Sequence, residues 1–545
     1  MKDSVSNILR EVKSAMQQDN FGDALSLLEQ VLKIFPENKT ALLYKAEIGM
    51  QTRDKQITEA ALKSLILIAP HNLQYSITLA QLYFDNGELE RAPKVFEPLI
   101  QQFKHPDLHF NYAWFLTRAA DYNNALENYQ KAINLGLQGS EEAHLNMANI
   151  YSSRLFQQSL AKTHLMLALK IRPNYVDALY NLGNLEEDSG DRTAAKLQFQ
   201  RILSIDPSHA KATARLAQAN DDDSPTLISK LERLIENPSI EDDSRIDCLY
   251  ALGKLHDQQG NYKQAFESWT CANTIDQKFV GKFDRSSFTK SVNRLIEVYS
   301  ESWFKRIELE NRDEPVFICG MFRSGSTLLE QMLASHPQLV AGGELDYFHR
   351  TAKKMGSANP PDSGYSTALL NSVADGYNEQ LQLMASPETR VTDKRPDNAL
   401  HIGLIKTVFP QARIILTRRQ DKDTCLSIYS HRFARDMNYA CDLEDINFYS
   451  NELNRLTEHW ITLFAETIHV VDYDDLVKDP KQVISGVLRF IHLDWDAACL
   501  DFHHLRNVVS TASVWQVRQP LYSRSSGRWK NYRTLLGDIF KSNQL

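Results

Sequence analysis

No apolar run among the 545 residues approaches the roughly 20 that a membrane-crossing helix needs. That excludes a helical span. Positive charge is not in excess: 61 Lys and Arg stand against 69 Asp and Glu, a net charge of −8. A protein built to coat nucleic acid is thereby excluded, although a few cations could still line a local anion pocket. Cysteine is sparse. The six residues, Cys248, Cys271, Cys319, Cys425, Cys441 and Cys499, form no CxxC pair, which argues against a disulfide framework and for free thiols in a reducing cytoplasm. The 16 histidines include His503-His504 but offer no HExxH spacing, so no metal is expected. No Ser-His-Asp elbow is present either. The start, MKDSVSNILREVKSAMQQ, reads as an amphipathic helix and lacks the apolar centre of a signal peptide. What remains is a length that predicts two or more domains, with 43% hydrophobic and 24% charged residues, ordinary for a soluble globular protein.

The first 275 residues carry a period. Ala24, Thr58, Ala92, Ala125, Ser159, Ala195 and Ala265 follow one another at 34, 34, 33, 34, 36 and 70 residues. Turn positions five residues earlier hold Gly87, Gly190 and Gly260, and Pro36, Pro70 and Pro207 stop the second helix of three units. LYNLGNLEEDSGD and LYALGKLHDQQGN, starting at Leu179 and Leu249, repeat almost word for word. Such a helix–turn–helix unit resembles the tetratricopeptide repeat. About seven or eight units are expected over 1–275, the weakest between Asp221 and Asp247, where Asp221-Asp222-Asp223-Ser224-Pro225 looks like a linker. Stacked repeats present a concave surface suited to an extended peptide or partner protein. Residues 276–312, with a helix over Ser287–Tyr299, are expected to cap the solenoid.

From 313 to 545 short apolar runs alternate with helical patterns. Val316–Cys319, Arg413–Thr417 and His469–Val471 read as strands, and Asp423–Phe433 and Pro480–Ile491 as helices. That alternation predicts a parallel sheet covered on both faces, with ligands beyond the carboxyl ends of its strands. After the first strand comes a turn of small residues, Gly320–Thr327, and then a helix ending near His336-Pro337. Strand, glycine turn and helix start together form a cradle for an anion. GMFRSGST nearly fits the triphosphate loop GxxxxGK[ST] but has Ser326 in place of the lysine, which speaks against an ATPase or GTPase. Arg418 and Arg419 lie at another strand end, so the ligand should carry two anionic ends. Strand alternation lets only one of the two point at it.

FRSGSTLLEQMLASHP, GGE, TDKRPDN, RQDKDTCLS, DYDDL, SVWQV and GRWKNY occur in this order between Pro315 and Tyr532. Together they resemble the sulfotransferases that use 3′-phosphoadenosine 5′-phosphosulfate (PAPS). The resemblance is strongest to the protein-tyrosine sulfotransferase branch and to bacterial fusions of repeats with a sulfotransferase. It implies an all-α tetratricopeptide solenoid followed by an α/β, P-loop-like parallel-sheet domain. By the same resemblance, the loop Arg323, Ser324, Gly325, Ser326 and Thr327 would bind the phosphosulfate. Arg419 and Ser427 would bind the 3′-phosphate, Tyr473 the nucleotide, and Ser513, Gln516, Arg528 and Lys530 would close over it. Glu344 would be the catalytic base, with Arg323, Lys394 and Ser513 around the transferring group and PAP as the product.

Two departures stand out. Phe322 replaces a proline common before Arg-Ser-Gly, and Asp346 stands where animal tyrosine sulfotransferases carry an arginine for acidic substrate side chains. The resemblance implies sulfuryl transfer to a hydroxyl, expected to be a tyrosine of a peptide or protein held by the repeats. A tyrosine hydroxyl, with a pKa of about 10, needs a base at neutral pH. Carbohydrate, lipid and small-phenol acceptors stay open. So do two rivals: a P-loop kinase or NTPase, and a non-catalytic scaffold whose second domain only holds a nucleotide.

Overall fold

The structure, a computed structural model, describes residues 2–220, 225–307, 313–356, 361, 364–386, 388–505, 507–509, 511 and 513–537. The expected linker residues Asp221–Ser224 lie outside these. Two compact units result, Met1–Leu182 and Gly183–Leu545, so the division falls inside the repeat array.

In the first unit, helices pair as antiparallel hairpins, for example Lys39–Gln51 with Lys55–Ile68 and Pro106–Arg118 with Tyr122–Asn134. In three units the second helix starts where an Asn or Asp side chain caps it: Asn20, Asp54 and Asp121 accept from backbone N–H groups at the third residue beyond. Four residues after each cap comes the periodic small residue, and Ala24, Thr58 and Ala125 are fully buried between helices. One position differs from the expected period. Ser159 is exposed and Ala161 is buried instead, because the helix starts at Gln158 and the packing position is its fourth residue. Sequence spacing alone cannot distinguish two small residues so close together.

The second unit begins with the remaining hairpins, ending in Asp242–Gln258 and Tyr262–Val280. Helix Arg285–Val298 follows and packs on helix Leu443–Leu463. Its apolar face, Val292, Leu295 and Val298, is buried there.

Five parallel strands make the sheet: β1 Val316–Gly320, β2 Leu339–Ala341, β3 Arg390–Lys394, β4 Arg413–Arg418 and β5 Ile468–Asp472, in the order β2-β3-β1-β4-β5. Alternate residues feed two cores. Phe317, Cys319, Ile414 and Leu416 join a core that also holds Tyr250, Ala265 and Trp269 of the last repeats. Val316, Ile318, Ile415 and Val471 pack against Leu329, Met332, Leu333, Ile484 and Leu488. A sheet buried on both faces explains its near-continuous apolar strands. β3 is the exception. Its RVTDK sequence has no apolar run, yet Thr392, Asp393 and Lys394 are wholly buried. Helix Asp421–Tyr429 stops four residues before the expected Phe433. Strand order reverses between β1 and β4, and a ligand crevice belongs at their carboxyl ends.

Candidate active site

The loop after β1 is held open from below. Ser324 Oγ bonds the Met321 carbonyl and Thr417 Oγ1, each at 2.6 Å. Ser324 is therefore a buried strut of the loop, and it is not among the described lining residues of the cleft beyond. Arg323 has a φ of 66° and Gly325 a φ of 101°, so the chain doubles back twice before helix Ser326–Ala334 begins. Gly325 is required there. A Cβ would meet the Tyr473 ring at 2.5 Å, in a backbone conformation that side chains resist.

Beyond the loop lies a cleft, about 710 Å³ with the space open to solvent included, lined by Arg323, Gly325, Ser326, Thr327, Arg419, Ser427, Tyr473, Ser513, Gln516 and Arg528. Most of the residues expected from the sequence thus meet in one place. Leu328, Phe502, Val517, Gln519, Leu521, Tyr522 and Ser525 complete the wall. Leu328 belongs to helix Ser326–Ala334; the others lie between 502 and 525, where the sequence has no periodicity to read.

Three arginines line the cleft, and no carboxylate is among its described lining residues. Arg323 Nε donates to Ser427 Oγ at 2.9 Å, its Nη2 to Gln516 Oε1 at 2.8 Å, and its Nη1 to Ser513 Oγ. Burial, and then the neighbouring Arg419 charge, pull its pKa down to about 10. Arg419 lies over the Tyr473 ring at 4.7 Å, donates to the carbonyls of Arg323 and Ser525, and keeps a buried Nε–H without a partner. A cleft that gathers three arginines with no carboxylate among its described lining residues, and leaves a donor unmatched, suits an anion.

Arg418 turns the other way and pairs with Glu458 at 2.6 Å, which leaves Arg419 as the strand-end cation of the cleft. Arg528 is set by its surroundings. Asp423 accepts from the N–H groups of Gly527 at 2.6 Å and Trp529 at 2.8 Å, and Arg528 pairs with Asp257 of helix Asp242–Gln258 at 3.0 Å. Lys530 is exposed, lies beside Gly527, and does not line the cleft. Its place at the closing segment therefore differs from that of Arg528, two residues before it.

Glu344 and Lys394 form a separate pair outside this lining. Lys394 Nζ, wholly buried at the end of β3, donates to Glu344 Oε1 at 2.7 Å, while a third of the Glu344 side chain is exposed. A carboxylate partly open to solvent and anchored by a buried ammonium is suited to receive a proton from an incoming hydroxyl. Sequence reading missed Glu330. It follows Leu329 in the first turns of the helix and looks like a solvent-facing residue, but it is 2% exposed and accepts from the Gly343 N–H at 2.9 Å.

The sulfotransferase family model matches residues 315–497, and tetratricopeptide-repeat models match 9–65, 77–139 and 176–209. The chain therefore carries tetratricopeptide repeats followed by a sulfotransferase-family domain. A protein of Aquifex aeolicus (strain VF5), described as uncharacterized, is 30% identical over 397 residues, covering 70% of this chain and 51% of its own. The protein-tyrosine sulfotransferase of Drosophila melanogaster is 23% identical, covering 46% of this chain and 53% of its own. Protein-tyrosine sulfotransferase 1 of Danio rerio is 26% identical, with 38% and 62% covered. The chain spans about half the length of the curated relatives it matches. No helix among the described residues is long and apolar enough to cross a membrane.

Proposed function

We propose that this chain transfers a sulfuryl group from PAPS to an acceptor hydroxyl, with PAP as the second product. The observation that carries this is the convergence of Arg323, Arg419 and Arg528 on one cleft at the β1/β4 switch whose described lining residues include no carboxylate. Residues from the loop after β1, namely Arg323, Gly325, Ser326 and Thr327, would hold the phosphosulfate end. Arg419 and Ser427 would hold the 3′-phosphate, with Tyr473 and Arg528 along the nucleotide. Bound there, PAPS supplies the activated sulfuryl group. The chain's own part is to position and to manage charge. Glu344 takes the proton from the acceptor oxygen as that oxygen attacks. Lys394 keeps Glu344 aimed, and Arg323 with Ser513 faces the developing negative charge. Ser326 in place of a lysine disfavours the NTPase rival.

For the acceptor we favour a tyrosine in a peptide or protein, captured by the repeats, since relatives of the second domain are protein-tyrosine sulfotransferases. The six unpaired thiols favour the cytoplasm as the place of action. The test is incubation of the full chain with sulfate-labelled PAPS and a cell extract, followed by identification of the labelled product. Label on protein tyrosine supports the reading, label on carbohydrate or lipid replaces the acceptor, and label that never leaves PAPS overturns the activity.

A further inference from the structure

The turn that carries Glu344 is clamped from two sides. On one side, the Gly342 N–H donates to the Thr392 carbonyl at 2.9 Å and the Lys394 N–H donates to the Gly343 carbonyl at 2.9 Å, which ties the turn to β3. Gly342 permits this approach, because a Cβ there would meet the Thr392 oxygen at 2.6 Å. On the other side, Glu330 Oε1 accepts from the Gly343 N–H at 2.9 Å. That bond comes from helix Ser326–Ala334, the same helix whose start lines the anion cleft.

A carboxylate is an unusual choice for this task. Glu330 is 2% exposed, and an amide or hydroxyl could accept one backbone N–H without the cost of burying an acid. The charge has a counterpart in Lys394, which already donates to Glu344. The charged groups facing Glu330 are Lys394 and Asp393 from β3 and Glu344 from the turn, with the Thr392 hydroxyl beside them. Asp393 accepts from Tyr377 at 3.2 Å and is driven by burial toward its neutral form. Lys394, bonded to Glu344, thus also faces the Glu330 carboxyl.

We propose that Glu330 is a positioning residue for the Glu344–Lys394 pair: it fixes the Gly343 turn that carries Glu344, and its ionisation sets how strongly Lys394 holds Glu344. Burial raises Glu330 to about 7, with Lys394 opposing the shift and Glu344 adding to it. Near neutrality, loss of its proton places a second anion near Lys394 and so loosens the hold of Lys394 on Glu344. The catalytic meaning rests on the reading of Glu344 as base; the coupling itself does not.

The test uses the full chain with carboxyl-labelled glutamate, followed by NMR across the pH range, the Glu344 signal being assigned by its loss in E344Q. Wild type is expected to show an inflection of the Glu344 signal near pH 7, and E330Q is expected to lack it. Superposable Glu344 curves in the two proteins overturn the proposal. Amide exchange at Gly343 tests the clamp separately: E330Q keeps an acceptor oxygen and should retain protection, while E330L should lose it. Equal protection in all three overturns the clamp, and if E330L does not fold, the E330Q titration alone decides. Turnover by E344Q is measured beside these, so failure of Glu344 as base is seen independently.

Discussion

Arg419 donates through Nη1 to the backbone carbonyl of Arg323 at 3.3 Å, so one cleft arginine steadies the loop that aims the other. Removing Arg419 should therefore act twice, on a ligand phosphate and on the loop. R419A is expected to weaken PAP roughly tenfold to a hundredfold, the range of about 1.5–3 kcal/mol for a hydrogen bond to a charged group. AMP, which lacks the 3′-phosphate, should lose less. R418A should leave both affinities unchanged, since Arg418 pairs with Glu458. Calorimetry with the two nucleotides reads all four values, and equal losses for PAP and AMP would reassign Arg419 to the loop alone.

Gly325 packs against Tyr473 with a φ of 101°. G325A should lower stability by about 1–3 kcal/mol through backbone strain, with a further loss from collision with the ring. Combining it with Y473A removes the collision and keeps the strain, so melting should recover in part. Full recovery would show that the positive φ costs nothing.

Asp257 belongs to the repeats, yet it pairs with Arg528 at 3.0 Å and accepts from the Tyr532 hydroxyl. The backbone carbonyl of Asp188 likewise accepts from the Val509 N–H at 2.9 Å, and Arg192 lies over Trp515 at 4.6 Å. The segment that completes the cleft is thus strapped to the final repeats. D257N should weaken PAP roughly threefold to tenfold, on the order of 1 kcal/mol for a partly exposed ion pair. The same change in an R528A background should do almost nothing more. Additive losses in that double-mutant cycle would disconnect Asp257 from Arg528.

Glu330 also leaves a mark on stability. Its folded value is raised to about 7, above the unfolded carboxyl range, so its contribution is complete in acid and is lost as pH rises through about 7. E330Q cannot ionise. Its melting temperature relative to wild type should therefore be higher at pH 8 than at pH 5, and a difference independent of pH would contradict the burial of an ionisable group there.

How much of this was readable in the residues differs from element to element. The β1 loop, Arg419, Ser427 and Tyr473 sit at ends of apolar strands or in motifs with fixed spacing, and they line the cleft together. β3 was invisible because its buried residues are Thr, Asp and Lys, whose partners lie far away in sequence: Lys394 meets Glu344 fifty residues earlier. The buried contacts of Ser324 and Glu330 were hidden for a related reason. A polar residue in a binding loop or on a helix looks solvent-facing until the tertiary partner, Thr417 for one and Gly343 for the other, is known. Asp257 could not be found at all from the catalytic motifs, since it stands in a repeat.

The most direct test compares wild type and E344Q in two assays, PAP binding by calorimetry and transfer of labelled sulfate from PAPS. Glu344 lies outside the cleft lining and pairs with Lys394. E344Q should bind PAP within about twofold of wild type and lose transfer by roughly a hundredfold or more, the usual scale of a general base. Near-normal transfer by E344Q would contradict the account.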